Sequence, residues 1–248
     1  MPFAVLLLLI ATLLPLAAAA TLLPLGKRLG TPLAGYVATF FIALGFLCSG
    51  WAMMRWIAGG NYHGTPFGRG VAPVLVTWRW APLESAAAPD GAVPGSGGPL
   101  DGGIYIDSLT VGSFVTITLA TMLIQIFTGR SMRRDPRFAR FFLLLSLACF
   151  ATLAMVLSAG LVQSVVLLEL VGFCASLLVG FRTDRPAATR AAIRMFLVNR
   201  VGDIGLVVGS GLLLGYIGDL MLPRLWVVLS GAGDGSAPSL SGGTVPIS

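Results

Sequence analysis

Charge is what this 248-residue chain has least of: Asp, Glu, Lys and Arg make up 10% of it, against about a quarter in soluble domains. With 56% hydrophobic residues and a mean hydropathy of +0.90, the deficit excludes a water-soluble globular fold and places the chain in a bilayer. Cysteine is also scarce. Cys48, Cys149 and Cys174 fall in three different apolar runs with no CxxC pair, so neither a thiolate zinc site nor an iron–sulfur cluster has ligands at the required spacing. The only histidine, His63, stands alone in a loop. No GxxxxGK[ST] phosphate cradle occurs, and the one Gly-rich loop is not framed by a strand and a helix as a dinucleotide fingerprint requires. These residues are therefore expected to bind no cofactor, no metal and no nucleotide.

What is present is length. Six apolar runs reach the ~20 residues a helix needs to cross about 30 Å of hydrocarbon: Phe3–Leu25, Leu33–Ile57, Ile106–Thr128, Phe138–Ala159, Leu161–Phe181 and Ala192–Leu222. Barrel strands would be half as long and alternate in polarity, so the expected fold is an all-α polytopic bundle of about six spans. The first run resembles a secretory signal in its small residues Ala17–Ala20. However, its basic pair, Lys27 and Arg28, follows the run instead of preceding it, which makes it a retained helix.

Arginine placement predicts the orientation. The connections after the first, third and fifth spans carry Lys27 and Arg28; Arg130, Arg133, Arg134, Arg137 and Arg140; and Arg182, Arg185 and Arg190. After the second span, Arg55, Arg69 and Arg79 are offset by Glu84, Asp90, Asp101 and Asp107, and the fourth connection is uncharged. Odd connections then face the cytoplasm and the N-terminus lies outside. The net charge of +6 comes from these loops and implies no nucleic-acid partner. The expected organisation is two helices over residues 1–57, an outer loop over 58–103, four helices over 104–222, and a tail over 223–248. The Gly/Pro-rich cores of loop and tail favour irregular structure, while Trp78 and Trp80 favour a short interfacial segment or strand.

Against this apolar background the ionisable residues of the last two spans stand out. Glu169 sits mid-span in LVQSVVLLELVGFCASLLVGF, where a charge costs about 2.5–3.5 kcal/mol to insert and signals function by default. Glu169, Gly172, Ser176 and Gly180 follow one another at steps of three, four and four, one face of a helix, and small residues at that spacing admit a close neighbour. Low-dielectric surroundings favour the neutral acid and a nearby cation the carboxylate, so such a group can load and release a proton as positive charge withdraws or approaches. Arg200 and Asp203, spaced i, i+3, with Asn199 four residues before Asp203, can neutralise one another within the last span. A structural role stays open for both: a helix–helix hydrogen bond for Glu169 and a charge lock for the pair.

The segments LLELVGFCASLLVGF and RPAATRAAIRMFLVNRVGDIGLVVG, with IYIDSLTV and GRSMRRDPRFARFFLLLSL ahead of them, resemble the amino-terminal part of the antiporter-like subunits of respiratory complex I, the chain 5 or L-type family of NADH–quinone oxidoreductase. The family pattern is WELVGLCSYLLIGF followed by AAxKAFxxNRVGD. The similarity covers roughly 104–216. The resemblance implies that Glu169 is the proton-carrying carboxylate and that Arg194, Arg200 and Asp203 are its charge partners. Arg194 stands where the family has lysine, and arginine does not deprotonate; Leu168 replaces a tryptophan.

Members of that family are more than twice as long. Their segment carrying the lysine of the seventh helix and the histidine of the eighth has no counterpart here, so the expectation is a truncated or split subunit working with the rest of that subunit and with other membrane-arm subunits. NADH, FMN, iron–sulfur clusters and quinone would belong to partner chains, and the location would be a bacterial inner membrane. Two alternatives accompany this reading: the large subunit of a multisubunit Na⁺/H⁺ antiporter or a related hydrogenase or inorganic-carbon importer, and a non-transporting remnant or assembly partner.

Overall fold

The computed structural model describes residues 2–58, 74–79, 101–132, 137–182, 184–217 and 220–222. The elements are α1 (Pro2–Ala58), β1 (Val74–Arg79), β2 (Asp101–Ile106), α2 (Ser108–Ser131), α3 (Phe138–Leu157), α4 (Leu161–Val179) and α5 (Pro186–Ile217). Among the described residues there are six helical segments long and apolar enough to span a membrane, because α1 contains two, Ala4–Gly26 and Leu33–Ala58. The chain is an all-α integral membrane protein. The irregular cores expected in loop and tail, Trp80, Arg133 and Arg134 lie outside the described residues, as do the side chains of Lys27, Arg28 and Trp78.

The two halves of α1 are separated only at Gly30 (φ 62°, ψ −173°) and Thr31 (φ −93°, ψ 130°). A positive φ is readily adopted only by glycine, and one such residue followed by an extended one turns the chain back on itself. The halves pack antiparallel: a Cβ placed on Gly45 would lie 3.5 Å from the Ala11 carbonyl, and Leu22 clusters with Ala34 and Ala38.

The chain divides into two compact units. The first draws on Met1–Val71, Asp107–Val156 and Leu167–Asn199. Its core joins Leu22, Ala34 and Ala38 to Phe138 and Phe142 of α3, and Gly35 is close enough that an added Cβ would meet the Phe138 ring at 2.6 Å. The start of α2 is capped by Asp107, whose Oδ1 accepts from the Thr110 backbone N–H at 2.8 Å and the Thr110 hydroxyl at 3.1 Å; a carboxylate there satisfies an otherwise orphaned donor and opposes the helix dipole. The Trp56 indole donates to Ser108 Oγ at 3.1 Å, tying the second half of α1 to the same end of α2. Helix α2 is amphipathic in the membrane sense. Thr118, Thr121, Gln125 and Thr128 are buried while Leu119, Leu123, Ile124, Ile126 and Phe127 are exposed, as expected where lipid and not water is the outer solvent.

The second unit draws on Ala72–Ile106, Leu157–Val166 and Arg200–Ser248. Strands β1 and β2 pair antiparallel, from Val74↔Ile106 to Arg79↔Asp101. The strand suggested around Trp78 is present. Its partner β2 corrects the expected outline, because the third span begins at Ser108 and not at Ile106; Asp101–Ile106 forms a backbone ladder with β1 instead of ending an irregular loop. The α3–α4 turn adds to this hairpin. Ile104 bridges Ser158, Ala159 N–H donates to Gly103 O at 3.0 Å, and Gly103 N–H donates to Gln163 Oε1 at 3.0 Å. On the turn's other side Gly160 bridges Met221, Leu161 N–H donates to Leu220 O and Leu222 N–H to Ala159 O, both at 2.9 Å. The Ser158 and Ser164 hydroxyls also bond one another. Every backbone group accounted for here is one fewer left unpaired at the end of a membrane helix.

Candidate functional site

Glu169 lies near the middle of α4, half-buried. Its face of the helix packs against α5: a Cβ on Gly172 would come within 2.9 Å of Asn199 Nδ2, and one on Gly180 within 2.9 Å of Ala192 Cβ. Between them Ser176 is 5% exposed, its hydroxyl folded back onto Phe173 O at 2.8 Å. Beside that stripe Phe173 meets Phe196 of α5 edge-to-face, ring centroids 6.5 Å apart, while Val166 and Leu168 are exposed. The small-residue stripe thus does what its spacing predicted, drawing α5 in on the carboxylate's side and setting the polar Asn199 one turn from Glu169.

On α5, Asp203 continues the stripe begun by Ala192 and Asn199, at steps of seven and four. Arg200 Nη2 stands 3.1 Å from Asp203 Oδ2, with side-chain exposures of 37% and 16%. That carboxylate oxygen has no aligned hydrogen-bond donor, so the contact is a charge attraction within one helix and not a directional bond. Arg194 is placed apart. Two residues beyond Ala192, it sits about 200° round the helix and is exposed. Of the four residues singled out from sequence, Arg200 and Asp203 form a pair, Glu169 occupies the α4 face against α5, and Arg194 lies off that face.

A second polar constellation escaped sequence reasoning. Along α2, Thr118, Thr121, Gln125 and Thr128 recur at steps of three and four, all buried. Thr118 shares a 3.1 Å hydrogen bond with Ser49 of α1, Cys149 of α3 interacts with Thr121, and Gln125 Nε2 donates to Ser146 Oγ of α3 at 3.2 Å. Gln125 is fully buried, yet its Oε1 has no hydrogen-bond partner among the described residues. Exchanging the ends of the amide would only move the orphan from oxygen to nitrogen. The signal was available in the uncharged polar residues of an apolar run; hydropathy averaging hides them.

Among the described residues no group of His, Cys, Asp or Glu is arranged to hold a metal ion. On the facing stripes of α4 and α5 the first unit presents a half-buried carboxyl, Glu169, and one turn on, at Gly172, the amide of Asn199.

Two family models match, together covering more than half of the chain. The one described as NADH-Ubiquinone oxidoreductase (complex I), chain 5 N-terminus, matches residues 96–142, and the one described as NADH:quinone oxidoreductase/Mrp antiporter, TM, matches 158–242. The NAD(P)H-quinone oxidoreductase chain 5 of Synechocystis sp. is 43% identical over 110 residues, 44% of this chain and 16% of that protein. The chloroplastic NAD(P)H-quinone oxidoreductase subunit 5 of Mesostigma viride is 44% identical over 110 residues, 44% of this chain and 17% of that protein. The matched stretch is thus about one sixth of these relatives' length. In fold, the chain is similar to one from the membrane-bound sulfane sulfur reductase, an archaeal respiratory membrane complex, with a TM-score of 0.68 and 17% identity over 94% of this chain and 41% of that one. The chain belongs to the antiporter-like family of membrane subunits of NADH:quinone oxidoreductase.

Proposed function

We propose that the chain serves proton translocation in the membrane arm of an NADH–quinone oxidoreductase of a bacterial inner membrane, with Glu169 as the group that carries the proton. The observation that supports this most is the close approach of α5 to the Glu169 face, which brings an amide one turn from the acid and leaves no space for a bulky side chain at Gly172. A carboxyl is the one side-chain group on the packed α4 stripe that can take up and release a proton. Arg200 supplies a permanent positive charge, paired with Asp203 on its own helix at 3.1 Å. Arg194 cannot serve as a proton carrier, because a guanidinium stays protonated; its part is a fixed charge. The resident chemistry of NADH, FMN, iron–sulfur clusters and quinone would lie in partner subunits, and the remaining half of a complete proton path in chain segments or subunits packed beside this one.

The test is Glu169→Gln in the assembled complex, which keeps size and hydrogen bonding and removes the ionisable group. A positioned proton-transferring side chain contributes about 10²-fold or more, so protons moved per NADH oxidised should collapse while assembly is preserved. Unchanged pumping at normal oxidation would exclude Glu169. A second reading, the large subunit of a multisubunit Na⁺/H⁺ antiporter, is favoured by the description of the model matching 158–242, which names both systems. Sodium-driven proton movement by the purified assembly, without NADH, would select it.

A further inference from the structure

One end of the first unit gathers arginines more tightly than charge sorting across a membrane requires. The α2–α3 and α4–α5 connections meet there through an ion pair between Arg137 Nη2 and Asp184 Oδ1 at 2.8 Å. Just below, Phe141 and Phe181 make an edge-to-face contact at 5.4 Å. Arg140 is one turn on from Arg137, its N–H bonded to the Arg137 carbonyl at 3.0 Å, and the Arg185 N–H closes a turn onto the Arg182 carbonyl at 3.2 Å on either side of Asp184. The ion pair thus joins two connections that each carry further arginines within three residues of it, Arg140 on one and Arg182 and Arg185 on the other, and Asp184 is itself 71% exposed. Arg140, Arg182 and Arg185 are exposed, and neither of the ion pairs found among the described residues involves them.

We infer that this cluster binds the phosphodiester headgroup of an anionic phospholipid. The charge sorting that keeps basic residues on one side of a membrane asks only that they lie in these loops. It does not ask that two arginine-bearing loops be clasped together by an ion pair. The residue type fits a phosphate: fifteen of the sixteen basic residues in the chain are arginine, whose planar fork donates two parallel hydrogen bonds where lysine offers a point charge. The flank of the cluster selects a lipid over free phosphate. Leu177, Val179, Ile193 and Leu197, about one to three turns into the membrane from the charged rim, are all exposed. A charged rim above an apolar flank matches a headgroup above acyl chains, and gives no reason to hold a small hydrated anion.

The experiment titrates the purified full chain, in a neutral detergent, with phosphatidylglycerol and separately with phosphatidylcholine. The parent chain should bind phosphatidylglycerol more tightly, and an excess of inorganic phosphate should not displace it. The triple variant Arg140→Gln, Arg182→Gln, Arg185→Gln should weaken phosphatidylglycerol binding by about a hundredfold, at roughly fivefold per arginine, and leave phosphatidylcholine unaffected. A charge-matched triple elsewhere, Arg55→Gln, Arg69→Gln, Arg79→Gln, in the connection after the second span, should change it far less. An equal loss in both triples makes the effect one of diffuse charge and overturns the inference, as does displacement by inorganic phosphate. If the first triple does not purify as a single species, Arg140→Lys, Arg182→Lys, Arg185→Lys keeps the charge and removes the forks; undiminished phosphatidylglycerol binding in that variant also overturns it.

Discussion

Gln125 shows how a single side chain can carry more risk than its hydrogen bond carries benefit. Its amide donates to Ser146 Oγ at 3.2 Å while its Oε1 is buried without a partner among the described residues. A satisfied bond contributes about 1 kcal/mol net, whereas a stranded polar group costs about 1–3 kcal/mol. Removing the whole amide and removing only its acceptor should therefore differ in sign of consequence. Gln125→Met, which keeps the length and removes both polar atoms, is expected to leave thermal stability in detergent within about 1 kcal/mol of the parent or to raise it. Ser146→Ala strands the second end of the amide and should cost about 1–3 kcal/mol. Melting curves followed by tryptophan fluorescence would check the pair; equal losses would show that the amide is satisfied in solution. At this scale the sequence was half legible. Glu169, Arg200 and Asp203 announced themselves because charge in an apolar run is conspicuous. Gln125 and the α2 threonines did not, since uncharged polar residues barely lower a window average and only their three- and four-residue steps reveal the buried seam.

Among elements, the α3–α4 turn is the one whose role exceeds its length. Ser158, Ala159 and Gly160 act as a short central strand, with the β1–β2 hairpin on one side and Leu220–Leu222 on the other. Gln163, one turn into α4, reaches back to accept from the Gly103 N–H. Gln163→Leu should therefore loosen the hairpin's attachment without touching any apolar contact. Amide hydrogen exchange at Gly103 and Ala159 should speed up, by about fivefold for each 1 kcal/mol lost, while α2 amides stay as protected as before. Exchange that is unaltered at both amides would mean the Gln163 contact contributes nothing. The helices themselves were readable in advance because spanning length is a property of one continuous run. Their ends were less so. The third span starts at Ser108 where Asp107 caps it, and the last begins at Pro186, a residue well suited to the first turn of a helix that lies outside the apolar run from which the span was drawn. Strand β2 was hidden because DGGIYI gains its structure from a partner more than twenty residues away, and a Gly-Gly pair by itself favours a loop.

For the molecule as a whole, burial falls steeply along the chain. The described residues bury 39% of the most apolar window of the first span but 11% of that in α4 and 6% of that in α5. Val198, Val201, Ile204, Val207, Val208 and Leu212 of α5 are open, a surface suited to lipid or to further helices. The fold class and the family pattern could be read from the sequence because both reside in runs and motifs; how thoroughly each span is covered could not, since coverage depends on which helices meet. The orientation argued from arginine placement makes its own prediction at this scale. In intact cells a membrane-impermeant maleimide should label Ile57→Cys, at the end of α1, and should reach Ser131→Cys, at the end of α2, only after permeabilisation. The reverse pattern would invert the topology.

The turn at Gly30 has a consequence for how this protein enters the bilayer. Because two residues suffice to reverse α1, the first two spans have no slack between them. They are then expected to enter the bilayer together, as a helical hairpin. A bulky or β-branched residue in place of Gly30 would oppose the left-handed backbone on which the reversal depends, and its effect would be felt during biogenesis, as a chain that inserts in the wrong sense or not at all, before any fully assembled protein existed to be destabilised.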